Sequence, residues 1–165
     1  MHQAHADFEI IPLIQVELNT YRDRGTDAFG NAIAVHVNTE EGGAPLRCCL
    51  TEAKVGERVA LIAHRPFSFD GPFAEVGPVY IHAEPCGGYT DTDQYPPGFA
   101  HRAQVFRAYS HDNRIHDARL VAGEDAEVVI SELLARPEVA FLHSRNVLYG
   151  CYMFAIHRSS MAGPR

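Results

Sequence analysis

Residues able to do chemistry are thinly spread along this chain, and four of them pair up around turns. His82 and Cys86 flank a tight turn at Pro85, and His143 and Cys151 flank a second one that ends in Gly150. Two thiolates and two imidazoles satisfy a tetrahedral zinc, or an iron, provided that the two turns are neighbours in space. Paired as thiolate and imidazolium, the same residues would instead make a nucleophile. The spacing is loose, with neither Cys-x2-Cys nor His-x3-His, and buried thiols with hydrogen-bonded histidines are the commoner explanation of such a pattern. His82-Ala-Glu84-Pro-Cys86 also echoes the zinc deaminase signature. In that signature the Pro-Cys half comes from a separate helix start, and here Tyr89 stands where its second thiolate is needed. A deaminase centre is set aside.

Arginine supplies the second set. Arg102, Arg107, Arg119 and Arg145 lie in or beside apolar stretches. A guanidinium stays charged when buried, so each needs a carboxylate, a carbonyl or an anionic ligand. Glu75, Glu84, Asp117 and Glu138 can serve, and structural ion pairs are the more common outcome. Other catalytic patterns are missing: there is no Gly-x-Ser-x-Gly elbow, no phosphate loop and no dinucleotide fingerprint. Cys48 and Cys49 would point to opposite faces of an extended chain and cannot bridge each other without strain.

The elements that must position these groups are mostly strands. Val139–His143 and Cys151–Arg158 read as two strands joined by a polar turn carrying Arg145 and Asn146. The second is apolar at almost every residue, as befits a central strand covered on both faces. Upstream, Phe8–Val16 reads as extended, with Pro12 arguing for an edge, and Leu18–Arg24 as one or two helical turns stopped by Gly25. Asp27–Val37 fits a helix or a strand. Leu46–Leu50 and Val79–Ala83 are short strands, Val59–His64 a clearer one, and Thr51–Glu57 a turn. Ala103–Ser110 and Arg114–Ala122 form a hairpin. Cys86–Phe99 is a long irregular loop whose Tyr89, Tyr95 and Phe99 either line a pocket or anchor the loop. Asp125–Ala135 is the one well-defined helix, acidic at its start and stopped by Arg136-Pro137. The sum is an α+β fold, a largely antiparallel sheet of about six to seven strands in a single domain over 1–165.

Composition narrows the function. Of 165 residues, 46% are hydrophobic and 21% charged, which suits a packed domain. A net charge of -7 with no basic cluster argues against nucleic acid. No apolar run approaches a membrane span, the N-terminus lacks a secretion pattern, and four cysteines do not make a disulfide framework. A cytoplasmic protein with reduced thiols is the expectation; homo-oligomer formation is left open.

With these residues in view, the chain resembles a bacterial family, domain of unknown function 1203. The resemblance rests on Pro45-Leu-Arg47 with Leu50, Gly56-Glu57, Pro72-Phe-Ala74 and Gly77-Pro-Val-Tyr80. It continues through Arg102, Arg107-Ala-Tyr109, Gly123, His143, Asn146 and Gly150-Cys151, and spans about 45–158. It implies a relative without an established activity. It also implies that many members carry a charged or basic residue in place of His82, which shifts weight to His143, Asn146, Arg107 and Tyr109.

The leading expectation is therefore a domain that binds a small polar or anionic ligand. Its cleft would lie between the Cys86–Phe99 loop and the terminal turn, lined by Arg107, Tyr109, His143, Arg145, Asn146 and His82. One alternative is a metal-dependent (zinc or iron) or thiol enzyme built on His82, Cys86, His143 and Cys151. Another is a protein–protein interaction module with no chemistry of its own. The first needs no cofactor; the second would take zinc.

Overall fold

A computed structural model of the protein describes residues 7–160, so His2 and His5 lie outside it. In chain order the elements are β1 (Phe8–Ile11), α1 (Gln15–Arg24), β2 (Ala34–Val37), β3 (Pro45–Leu46), β4 (Thr51–Glu52), β5 (Arg58–His64) and β6 (Gly77–His82). They continue with β7 (Gln104–Ser110), β8 (Ile115–Val121), α2 (Ala126–Leu134), β9 (Val139–Asn146) and β10 (Tyr152–Arg158). The α+β class holds, but the expected single sheet of six to seven strands is two five-stranded sheets. The first, ordered β1-β10-β9-β7-β8, is antiparallel throughout. The second, ordered β2-β5-β6-β3-β4, contains one parallel pair, β3 with β6. The expected strand over Leu46–Leu50 shrinks to the two-residue β3, part of the expected turn at Thr51 is the two-residue β4, and β2, in the stretch 27–37 that fitted helix or strand, is exposed at all four positions.

Elsewhere local chemistry decides. Tyr152 to Ile156 are buried on consecutive positions, as an interior strand requires, and β10 runs between β1 and β9. β1 lies on the sheet edge and ends just before Pro12. The β7–β8 hairpin closes through Asn113, whose φ of 65° suits asparagine. Helix α1 starts earlier than expected, at Gln15, and ends in left-handed Gly25. It buries only Leu18 and is tied down by polar contacts. Arg22 donates to the carbonyls of His82, Ala83 and Glu84, and the Tyr21 hydroxyl lies 2.9 Å from His64 Nδ1. No described helix is long and apolar enough to cross a membrane.

Two cores result. One lies between the first sheet and α2, where Ile130, Leu133 and Leu134 meet Phe106, Leu142 and Phe154. Tyr95 and Phe99 of the long loop belong to it, so they anchor the loop. The other joins the second sheet to Leu13 and Leu18, and takes in Cys48 and Tyr152 of β10.

Candidate metal centre

The expected strand over Leu46–Leu50 stops after Leu46. Leu50 donates its N–H to the Leu46 carbonyl at 3.0 Å, closing one helical turn, and then takes a φ of 55°. A leucine adopts this left-handed backbone only under compulsion. Here the compulsion is burial, because the Leu50 side chain sits in the first core. Consecutive side chains on a helical turn diverge by roughly 100° instead of the 180° of a strand, so both Cys48 and Cys49 can reach one neighbour. The loop turn Pro97–Phe99 presses on this segment. A Cβ on Gly98 would lie 2.6 Å from the Leu50 carbonyl oxygen and 2.9 Å from Thr51 Cα, so only glycine permits the approach.

The neighbour is His82, at the end of β6. Its Nδ1 is 3.5 Å from Cys48 Sγ and 3.8 Å from Cys49 Sγ. Cys86, past the Pro85 turn, completes a set of four donor atoms lying within 4.8 Å of one another. Tetrahedral zinc, with Zn–S of about 2.3 Å and Zn–N of about 2.0 Å, sets donor-to-donor edges of roughly 3.5 Å for S···N and 3.8 Å for S···S. The imidazole already stands at those separations from two sulfurs.

An outer layer holds these donors. Glu57 Oε2 lies 3.4 Å from His82 Nε2 and accepts the Lys54 N–H at 2.8 Å, so the ring is gripped by a carboxylate on one side and offers Nδ1 to the thiols. The His82 main-chain N–H donates to Cys48 Sγ at 3.4 Å, and Gln15 Nε2 to Cys86 Sγ at 4.0 Å. The hydrogen bond from Cys49, aided by the His82 N–H and imidazole, lowers the Cys48 thiol to about 5 against the opposing effect of burial. Cys49 is pushed the other way by its bond to Cys48 and by burial, and burial raises Cys86. Without a cation the cluster thus favours one thiolate; a dication is what lets all three ionise together.

His82 and Cys86 are accordingly brought together with Cys48 and Cys49, and His143 and Cys151 are not part of that group. His143 is buried on β9, its ring 4.8 Å from Phe67, 5.0 Å from Tyr109 and 4.9 Å from Tyr152 between centroids. Its Nδ1 has no hydrogen-bond partner among the described residues, and burial holds its pKa well below the usual histidine range. Arg107 and Arg145 share Glu75, at 3.0 and 2.6 Å, while Arg102 pairs with Glu52 and Arg119 with Asp117. Asn146 Oδ1 caps the terminal turn, accepting the N–H groups of Leu148 and Tyr149 at 3.1 Å each. Cys48 and Cys49 are the residues that sequence reasoning missed as ligands. Adjacent thiols preceding a strand-breaking turn would have been the signal.

A family model described as a protein of unknown function (DUF1203) matches residues 43–158. The chain belongs to that family. The match covers every donor of the Cys/His cluster and leaves out β1, α1 and β2. No curated protein and no solved structure matches the chain.

Proposed function

We propose that this protein is a metal-binding domain that carries one zinc ion on Cys48, Cys49, His82 and Cys86. The observation behind this reading is the agreement between the His82 Nδ1 distances to Cys48 and Cys49, 3.5 and 3.8 Å, and the edges of a zinc tetrahedron. The Glu57 carboxylate behind the ring supplies the outer-shell partner that zinc-bound histidines use. With four protein donors the coordination is full, so the ion serves structure: it ties the Cys48–Cys49 turn to the end of β6 and the start of the long loop. Three thiolates and a neutral imidazole would give a centre of net charge -1, offset by the His82 N–H donated to Cys48.

Elemental analysis of tag-free protein purified without chelators tests the reading. About one equivalent of zinc is expected, lost in Cys48→Ser and retained in Cys151→Ser, with Glu57→Ala weakening zinc by roughly 10–100-fold. Folded protein with four titratable thiols and no zinc after zinc supplementation would sink the proposal.

A further inference from the structure

Arg47, outside the Cys/His cluster, poses a separate electrostatic problem. It is 2% exposed, and among the described residues its hydrogen bonds go only to main-chain carbonyls, Nε to Tyr152 at 2.7 Å and Nη1 to Pro45. No carboxylate pairs with it among the described residues. Glu52 is close enough to act on it, but its Oε1 pairs with Arg102 Nη1 at 2.5 Å. Its buried Oε2 makes no hydrogen bond among the described residues, so Arg102 and not Arg47 holds that carboxylate. Two guanidiniums therefore stand against one carboxylate, leaving an excess of one positive charge. Carbonyl dipoles satisfy Arg47's N–H groups without neutralising its charge, so an anion at this position is favoured.

The space for one is present. Arg47 and Arg102 line a cleft of about 450 Å³ together with Asn146 and Cys151, and Leu61 and Pro78 give it apolar wall. Cys151 lines the same cleft as the two arginines. These residues come from both sheets, so the cleft lies at their junction.

We propose that this cleft binds a small carboxylate, with its carboxyl group on the Arg47 and Arg102 guanidiniums and its apolar body against Leu61 and Pro78. A single negative charge balances the single positive excess, whereas a phosphate dianion would leave charge over in a partly apolar cleft. The proposal is independent of the zinc reading, since the two sites share no residue.

Cys151 makes the test direct. Iodoacetate and iodoacetamide deliver the same carbon to a thiolate, forming the C–S bond and releasing iodide, but only iodoacetate carries a carboxylate. Free thiols react faster with iodoacetamide. At Cys151, followed by peptide mapping of the purified protein, iodoacetate should gain by roughly tenfold relative to the ratio for free cysteine, as one desolvated charge pair provides. Benzoate should slow both reagents, and Arg102→Gln should shrink the iodoacetate advantage. A free-thiol ratio at Cys151 in the wild-type protein, or no protection by benzoate, overturns the proposal. Protection by inorganic phosphate but not by benzoate overturns the carboxylate assignment. Neither wild-type measurement depends on how well a variant folds.

Discussion

Gly98→Ala should damage the Cys/His cluster without touching a donor. The added methyl would stand 2.6 Å from the Leu50 carbonyl oxygen and 3.0 Å from Thr51 Cβ, against an ordinary contact of 3.4 Å or more. The two turns must then part by several tenths of an ångström. Leu50 cannot easily yield, since its side chain is locked in the core and its φ is already positive. Overpacking of this kind destabilises by about 1–3 kcal/mol, and 2 kcal/mol lowers Tm by roughly 4–8 °C in a chain of this size. Because Cys49 and Cys48 immediately precede Leu50, a shift beyond the roughly 0.2 Å tolerance of zinc bonds also reaches the donors. The assay is a thermal melt with and without zinc, paired with a competitive zinc titration, using Gly77→Ala as control. Gly77 has open space around its Cβ position and should change Tm little. Equal melting temperatures and equal zinc affinities for the Gly98 and Gly77 variants would refute the coupling.

Acid should weaken the fold through its buried histidines. Burial holds His64 at about 4, against 6.5 for the free side chain. Between those values the unfolded chain takes up a proton that the folded chain refuses, so stability falls as pH falls, by about 2 kcal/mol at pH 5. His143 acts in the same direction. Urea midpoints at pH 7.5 and pH 5 should show a smaller loss in His64→Gln than in wild type, and an identical loss in both would discard the assignment. Glu75→Gln leaves Arg145 without its carboxylate, but Glu75 is 44% exposed, so solvent screening limits the expected loss to about 1–2 kcal/mol. An unchanged urea midpoint would mean that Arg145 is satisfied by the Gly150 carbonyl alone.

The parts of the fold that the sequence makes legible are those written locally. The unbroken apolar run of β10, the His111–Arg114 turn between β7 and β8, and the Arg136-Pro137 stop after α2 each carry their own instruction. The division into two sheets is not written that way, because β2 has no buried face and β3 and β4 owe their existence to β6 and to each other. The Cys/His cluster was half legible. His82 and Cys86 stand out by residue type, but a strand assignment sends Cys48 and Cys49 to opposite faces, and it is the helical turn closed by the Leu50 N–H on the Leu46 carbonyl that lets both reach one neighbour. For the arginines the residue types implied partners, and Glu75 was among them; that one carboxylate serves both Arg107 and Arg145 follows only from the pairing of β7 with β9.

The strand order also fixes a timetable for synthesis. Every strand of the second sheet comes from the stretch 34–82, and Cys86 follows directly, so that sheet and its cysteines leave the ribosome as a set. The first sheet cannot do this. Among the described strands β1 pairs only with β10, Phe8 opposite Arg158, so it waits for the last of them to be made. Until then β1 and the β9 edge stand open to other chains. Closing so long a loop is slow, and it is the step at which crowding by sister chains or a shortage of chaperone would divert this protein into aggregates.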